Sequence, residues 1–388
     1  MRSQRDRMLS DEAYHPGFGV LGPLQLTARG GALVQLGAPK QRAVLAMLVV
    51  NRNRAVSVDS LIDAVWDQQP VPAARTSIHS YVSNLRRLVG SAGFDPSKVL
   101  ASAPPGYQLN VADADCDLGR FITQKNAGVH AAAAGRFEDA SSYLSAALAE
   151  WRGPFLDDLR EFTFVDTFAT ALSEVRVAVQ TALAEAEIAC GRADAMIPRL
   201  EVMSAEHPYR ERLWAQLMTA YYLAERQSDA LNAYQRLKAN LAENLGIDPG
   251  PTVRSLHERI LRQEPLETKQ AAQTIATRSV VDLSAHTGTR PGPAAVAELR
   301  GNDGQRYRLE GSTRIGRLPD NDIVLDDDQV SRYHAVVIDT GGSFVISDLR
   351  STNGVLVGGR RIRSSATLAH GDHVRIGGHE FTFEINPR

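Results

Sequence analysis

The 388-residue chain is predicted to be a multidomain α+β protein, and three observations predict it. At about 100 to 200 residues per domain, this length calls for two to four separate cores. The hydrophobic period then changes twice: short strands and helices alternate up to Val111, helical spacing dominates from Ala112 to Leu261, and strand-like alternation takes over after Ala295. Charge divides along the same lines. From Gly17 to Val111 there are nine Lys and Arg against four Asp and Glu, whereas Ala112 to Pro265 has sixteen against twenty-three, so a net charge of −2 hides a basic part joined to an acidic one. Clustered cations suit a polyanion partner, because it is local charge that releases counterions. The expected divisions are a disordered leader over 1–16, a strand-and-helix domain over 17–111, an all-α domain over 112–262, a linker over 263–294 and an all-β domain over 295–388.

The leader is polar and has no apolar signal core, and the longest apolar stretch, Ala43 to Val50, is far short of the ~18 residues that span a bilayer. A cytoplasmic protein without membrane insertion is expected. Cys116 and Cys190 lie far apart without a CxxC or histidine partner pattern, which argues against a disulfide framework and a metal site and for two small core residues.

In the first domain, Phe18 to Thr27 and Leu33 to Leu36 read as short strands around a turn-prone Ala28 to Ala32. Pro39 is suited to a first helical position, with Val44, Leu45, Leu48 and Val49 recurring on one face behind it. Ser57 can cap a second helix carrying Leu61, Ile62, Val65 and Trp66. A third helix, from about Ala73 to Val89, places Ile78, Val82, Leu85 and Val89 in one stripe. Thr76, Ser80, Ser83, Asn84 and Arg87 then point away from it, with His79 and Arg86 at its flanks. Val99-Leu100-Ala101 and Tyr107-Gln108-Leu109, on either side of Pro104-Pro105-Gly106, form a hairpin.

This order resembles the winged helix-turn-helix of the Streptomyces antibiotic regulatory protein family, whose landmarks are similar to Phe18-Gly19-Val20-Leu21-Gly22-Pro23-Leu24, Pro39-Lys40-Gln41-Arg42 and Pro105-Gly106-Tyr107. The resemblance implies that the third helix enters the major groove of double-stranded promoter DNA while the wing and the first helices touch phosphate. The base-reading face would then comprise Thr76, His79, Ser80, Ser83, Asn84 and Arg87, with Lys40, Arg42, Arg75 and Arg86 as phosphate contacts. Of these, only Arg and Asn have side chains suited to bidentate base readout.

In the middle domain Ala and Leu recur at three and four residues, and related segments mark its turns. Gly191-Arg192-Ala193-Asp194-Ala195 and Arg226-Gln227-Ser228-Asp229-Ala230 lie thirty-five residues apart, with Gly135-Arg136-Phe137-Glu138-Asp139-Ala140 as a third version. A period near 34 is that of tetratricopeptide-like hairpins. Together with the closing Leu245-Gly246-Ile247-Asp248-Pro249-Gly250-Pro251, the segment resembles the bacterial transcriptional activation domain that follows the winged helix in the same regulatory family. Trp151, Trp214, Tyr221 and Tyr222 are expected in its core. The linker, rich in Gln, Ala, Thr, Pro and Gly, lacks periodicity.

The last domain carries Arg314-Ile315-Gly316-Arg317, Ser331-Arg332-Tyr333-His334 and Ser351-Thr352-Asn353-Gly354 among short strands expected to form an antiparallel sandwich. A phosphorylated threonine brings about −1.5 to −2 charges and three strong acceptor oxygens, so its receptor needs a cation and neutral donors on rigid loops. Arg317 can supply the guanidinium, Ser331 and Thr352 hydroxyls, Arg332 a second charge at the rim, and Asn353 an amide that grips an extended peptide backbone. Gly316 and Gly354 serve backbone geometry. The three motifs in this order resemble the forkhead-associated (FHA) domain, a phosphothreonine reader, and that resemblance makes His334 the brace of the serine loop.

The combined resemblance implies a DNA-binding transcriptional regulator, an activator, that docks on a threonine-phosphorylated Ser/Thr protein kinase, contacts RNA polymerase and occupies direct repeats head to tail as an oligomer on DNA. The resemblance to that regulatory family further implies cell-wall arabinosyltransferase genes as targets. The alternative is a kinase-associated scaffold that does not bind DNA specifically. With no G-x-x-x-x-G-K-[ST] loop, metal-ligand cluster or nucleophile elbow in the sequence, no enzyme activity, catalytic residue or cofactor is expected.

Overall fold

A computed structural model describes residues 17–66, 71–284, 296–309, 312–319, 321–339, 344–349, 351–362 and 365–386. The expected leader over 1–16 and the end of the expected linker lie outside these residues. The chain divides into two compact units: one combines the stretch up to Thr123 with Ala149–Val175 and the stretch from Ser284, and the other combines Gln124–Leu148 with Arg176–Leu283.

In the first unit, β1 (Gly17–Gly19) and β2 (Gln25–Thr27) pair antiparallel. The expected second strand over Leu33 to Leu36 is reduced to a single bridge between Leu33 and Thr27, since the strand break falls earlier, at the Gly22-Pro23 turn. Helix α1 (Pro39–Val50) begins on its proline, as expected. After β3 (Ala55–Ser57), Ser57 Oγ accepts the Ser60 backbone N–H at 3.0 Å and so caps α2 (Val58–Trp66). Helix α3 (Ala74–Ser91) buries the Ile78, Val82, Leu85, Val89 stripe against a core that includes Leu45, Leu48 and Leu61. The short α4 (Pro96–Val99) leads into β4 (Leu100–Ala103) and β5 (Gly106–Leu109), which with β3 form a three-stranded antiparallel sheet in the order β3-β5-β4. This is the predicted winged helix, and the hairpin is its wing.

Helical hairpins follow: α5 (Asp117–Ala133), α6 (Phe137–Ala149), α7 (Thr163–Ala189), α8 (Ala193–Glu206), α9 (Glu211–Leu223), α10 (Gln227–Leu245), α11 (Pro251–Leu261) and α12 (Thr268–Ser284). The repeated segments are their turns. Gly135, Gly191 and Glu225 each take positive φ (74°, 83° and 60°), and the next residue's N–H bonds back five positions: Arg136 to Ala131, Arg192 to Glu187 and Arg226 to Tyr221. Glu225 therefore occupies the place glycine takes in the other two turns, a conformation strained for a side-chain-bearing residue. Trp214 and Tyr221 are buried, and Trp151 and Tyr222 half-buried. Cys116 is fully buried and Cys190 half-buried, both as free thiols.

The expected linker is helical over much of its length. Helix α12 sets Ala272 and Ala276 against Ala131, Ala132, Ala186 and Ala189. Alanine's high helix propensity and an i, i+4 pair of small side chains make a close-packing face where a large-hydrophobe criterion finds none.

The carboxyl-terminal part is all β: β6 (Val296–Gly301), β7 (Arg306–Arg308), β8 (Ser312–Gly316), β9 (Ile323–Val324), β10 (Ala335–Asp339), β11 (Phe344–Asp348), β12 (Val355–Val357), β13 (Arg360–Arg361), β14 (Ser365–Leu368), β15 (His373–Ile376) and β16 (His379–Asn386). Among the described residues they form two sheets, β14-β11-β10-β8-β9 and β13-β12-β15-β16-β6-β7, whose shared core includes Leu299, Ile315, Val337, Ile346, Val374 and Phe383. The sheets are antiparallel except for the β8–β9 pair, which is parallel. Register positions the site: Ala335, at the start of β10, pairs with Ile315 near the end of β8 and with Asp348 at the end of β11. Segments 317–318, 331–334 and 351–354 thus lie at the same end of one sheet.

Candidate functional site

At that end the three motifs meet. The Arg317 N–H donates to the Ser331 carbonyl at 3.1 Å and the Leu318 N–H to the Arg332 carbonyl at 3.3 Å, so the exposed Arg317 side chain starts beside the serine loop. Ser331 Oγ accepts the Thr352 backbone N–H at 3.1 Å, tying the second motif to the third. Asn353 Nδ2 donates to the Gln329 carbonyl at 2.8 Å. Arg317, Thr352 and Asn353 are exposed and Ser331 is half-buried, an arrangement of one guanidinium, two hydroxyls and one amide around a common loop surface.

His334 is fully buried between these loops. Its Nδ1 accepts the Ser331 N–H at 3.0 Å, which leaves the proton on Nε2 to be donated to the Gly354 carbonyl, 3.0 Å away. The Nδ1 bond needs the neutral ring, and burial pushes the imidazole below its ordinary range, against the weaker pull of the Gly354 carbonyl and of Asp348 and Asp327. Gly316 is a close-approach position, because a Cβ there would run into the Arg332 carbonyl. Gly354 takes a φ of 75°, where a side chain is strained, and the Arg361 guanidinium lying over its Cα would have to move aside for a Cβ.

Sequence reasoning missed two braces. Asn321, almost fully buried, donates through Nδ2 to the carbonyls of Leu318 and Arg332, both at 2.9 Å, and so clamps the arginine loop to the serine loop. Ser351 Oγ accepts the Gly354 N–H at 2.9 Å while its own N–H donates to Asp348 Oδ1. The signal for Asn321 was the turn-prone Pro319-Asp320-Asn321-Asp322 run, which reads as a loop and does not reveal that one amide points inward. Arg332 is turned away from the other site residues: its Nη1 donates to Asp63 Oδ1 at 2.7 Å, on α2.

On the winged helix, Thr76, His79, Ser80, Ser83, Asn84 and Arg87 all lie exposed along α3. Arg87 Nη2 donates to Asn84 Oδ1 at 3.2 Å. His79 Nδ1 is 2.6 Å from the Tyr107 hydroxyl, and Arg86 donates to the Leu100 carbonyl and Ser102 Oγ, both at 2.9 Å. The expected phosphate-contact cations have internal partners. Arg42 pairs with Asp158 at 2.5 Å, whose other oxygen accepts the Leu24 N–H; exposed Arg75 pairs with Asp59 at 2.6 Å; Lys40 Nζ lies 4.9 Å above the Trp66 ring. The exposed Arg75 pair is held only weakly against a competing phosphate, whereas Arg42, about a quarter exposed, is built into the fold.

Among the described residues no cluster of His, Cys, Asp and Glu is arranged to hold a metal ion, and no helix is long and apolar enough to cross a membrane.

Three families match the chain in the order the fold displays: the transcriptional regulatory protein C-terminal family over residues 33–109, the bacterial transcriptional activator domain over 116–261 and the FHA domain over 313–377. The transcriptional regulatory protein EmbR of Mycobacterium tuberculosis is 63% identical over 371 residues, 95% of either chain. The regulatory protein DnrI of Streptomyces peucetius is 31% identical over 68% of this chain and 98% of its own. A solved structure described as Mycobacterium tuberculosis EmbR in complex with low affinity phosphopeptide superposes with a TM-score of 0.85 at 62% identity, covering 96% of this chain and 99% of that one. With winged helix, helical activator domain and FHA sandwich in the same order and nearly full-length identity at this level, the chain belongs to the EmbR family of transcriptional regulatory proteins.

Proposed function

We propose that this chain is a DNA-binding transcriptional regulator that reads a phosphothreonine on a Ser/Thr protein kinase through Arg317, Ser331, Thr352 and Asn353, and reads promoter DNA through α3. The observation that carries the reading is the convergence of the three motifs on one loop surface, with Ser331 Oγ bonded to the Thr352 N–H and His334 holding both loops from below. A cation beside fixed neutral donors is the chemistry a phosphate dianion requires. The phosphopeptide carried by the related EmbR structure supports the ligand class. On the DNA side, Asn84 and Arg87 offer amide and guanidinium groups to base edges from exposed positions on α3. The helical domain is the surface through which RNA polymerase would be contacted.

The test is fluorescence anisotropy with matched threonine peptides, phosphorylated and not, from the activation loops of the host's kinases. Each charge-assisted bond to phosphate contributes roughly 1.5 to 3 kcal/mol, so Arg317→Ala should weaken binding about tenfold to over a hundredfold. Binding of the phosphorylated peptide that is unchanged in both Arg317→Ala and Ser331→Ala would refute the site.

A further inference from the structure

The loop that carries Ser331 also seats the winged helix. Arg332, the next residue, donates to Asp63 Oδ1 at 2.7 Å; the Tyr333 hydroxyl bonds to Ser60 Oγ; and Arg54, just before β3, reaches both oxygens of Asp322 at 3.2 Å. Asp322 in turn accepts the Arg314 N–H at 2.8 Å in β8. The winged helix thus contacts the phosphate-site loops themselves rather than the far side of the sandwich. Behind the contact is a cavity of about 280 Å³ lined by Ser60, Asp63, Phe168, Ser331, Arg332 and Tyr333, so the loop is incompletely packed and its side chains have room to turn.

We infer that Arg332 is a shared cation, held by Asp63 when the winged helix is seated and transferred to the phosphate when a phosphothreonine peptide binds, so that peptide binding loosens α2 from the FHA domain. The inference rests on the phosphothreonine reading above and adds its regulation. Arg332 follows Ser331 directly, and a dianionic phosphate on Ser331 and Arg317 would draw it more strongly than one carboxylate does. Leaving Asp63 removes one of the polar links that seat the winged helix on this loop. Coupling is reciprocal: whatever unseats the winged helix raises affinity for the peptide by the factor with which the peptide unseats the winged helix.

The experiment uses the full chain and a pool of peptides with a fixed central phosphothreonine, with the unphosphorylated pool as control. A partly exposed ion pair contributes up to about 1 kcal/mol, so Asp63→Asn should bind the phosphorylated pool about two- to fivefold more tightly than the parent. Ser60→Ala, which leaves every charge in place, should shift affinity in the same direction and separates release of the seat from simple removal of a negative charge. In an Arg332→Ala background the effect of Asp63→Asn should vanish. Amide hydrogen exchange across Ala55–Trp66 should rise in the parent on peptide binding. Unchanged affinity in Asp63→Asn and Ser60→Ala, or unchanged exchange over that segment while the parent binds peptide, overturns the shared cation and leaves phosphothreonine binding standing. If the parent does not distinguish the two pools, the phosphothreonine reading fails and this inference falls with it.

Discussion

His334→Phe is the substitution that most directly tests how the phosphate loops are held. Phenylalanine fills a similar volume, so the packing loss is small, while both ring hydrogen bonds disappear. The Ser331 N–H loses its acceptor and the Gly354 carbonyl loses its donor, in a region where His334 itself has no exposed surface. Each buried polar group left without a partner costs about 1 to 3 kcal/mol, so the substitution should cost about 2 to 5 kcal/mol of local stability. A multidomain chain does not unfold in one step, and a single melting curve would blur this loss. Hydrogen exchange localises it: protection in β10 and β11 should fall by the equivalent of that energy, while α1 to α3 keep theirs. Phosphopeptide affinity should drop as well, although His334 touches no ligand, because Ser331 and Thr352 lose their common support. Native protection in β10 and β11 together with native affinity would show that the histidine is dispensable and that the loops are held by Asn321 and Ser351.

The same histidine predicts a pH dependence. Its folded value lies below the ordinary imidazole range of about 6.5, so its contribution is fully present above about pH 6.5 and is lost as pH falls through the folded value; protection of β10 and β11 should weaken on acidification in the parent and much less in His334→Phe. Gly316→Ala should displace the 331–333 loop, since its Cβ would meet the Arg332 carbonyl, and should abolish measurable phosphopeptide binding by anisotropy while the winged helix retains its hydrogen-exchange protection. Arg87→Ala should lower promoter affinity by about 1 to 3 kcal/mol and relax base preference at the position it reads, without changing thermal stability. Arg42→Ala should instead cost about 1 to 2 kcal/mol of stability through loss of the Asp158 pair, read by denaturant unfolding, with DNA affinity falling only as far as folding does.

Features encoded locally were legible in the sequence. The α3 stripe, Pro39 at the start of α1, the Ser57 cap and the wing hairpin each depend on residues within one turn or one hairpin, and each lies where its pattern placed it. The meeting of the three motif loops was legible for a different reason: three short motifs in order carry more information than any one arginine or serine. What escaped was set by distant partners. Nothing near Arg42 marks it as the partner of Asp158, nor Arg332 as the partner of Asp63 more than 260 residues earlier in the chain. Helix α12 escaped because its face is built from alanines, which carry little hydrophobic signal yet pack closely. The parallel β8–β9 pair escaped because periodicity shows which residues alternate and says nothing of strand direction.

The fate of the basic residues also narrows the DNA-reading surface. His79 is expected on the base-reading face and Arg86 at a phosphate, but the structure uses both to join α3 to the wing. His79 Nδ1 meets the Tyr107 hydroxyl, Arg86 bonds Leu100 and Ser102, and its guanidinium lies 5.7 Å from the Tyr107 ring centroid. Gly106 fixes the other end of the wing, where a Cβ would strike the Val56 carbonyl of β3. The recognition helix and the hairpin are therefore one rigid piece, and their spacing is set before DNA arrives, which reduces the ordering cost of binding. Ser80 Oγ donates back to the Thr76 carbonyl and so has part of its hydrogen-bonding capacity engaged within the helix. On the proposed reading, base discrimination would fall mainly on Asn84 and Arg87, which already bond to each other as an acceptor and a donor. A paired amide and guanidinium present a combined edge to the groove, so replacing either should alter the preference of its neighbour. On that argument Asn84→Ala and Arg87→Ala should be non-additive in promoter affinity, and strict additivity would show that the two read separate base pairs.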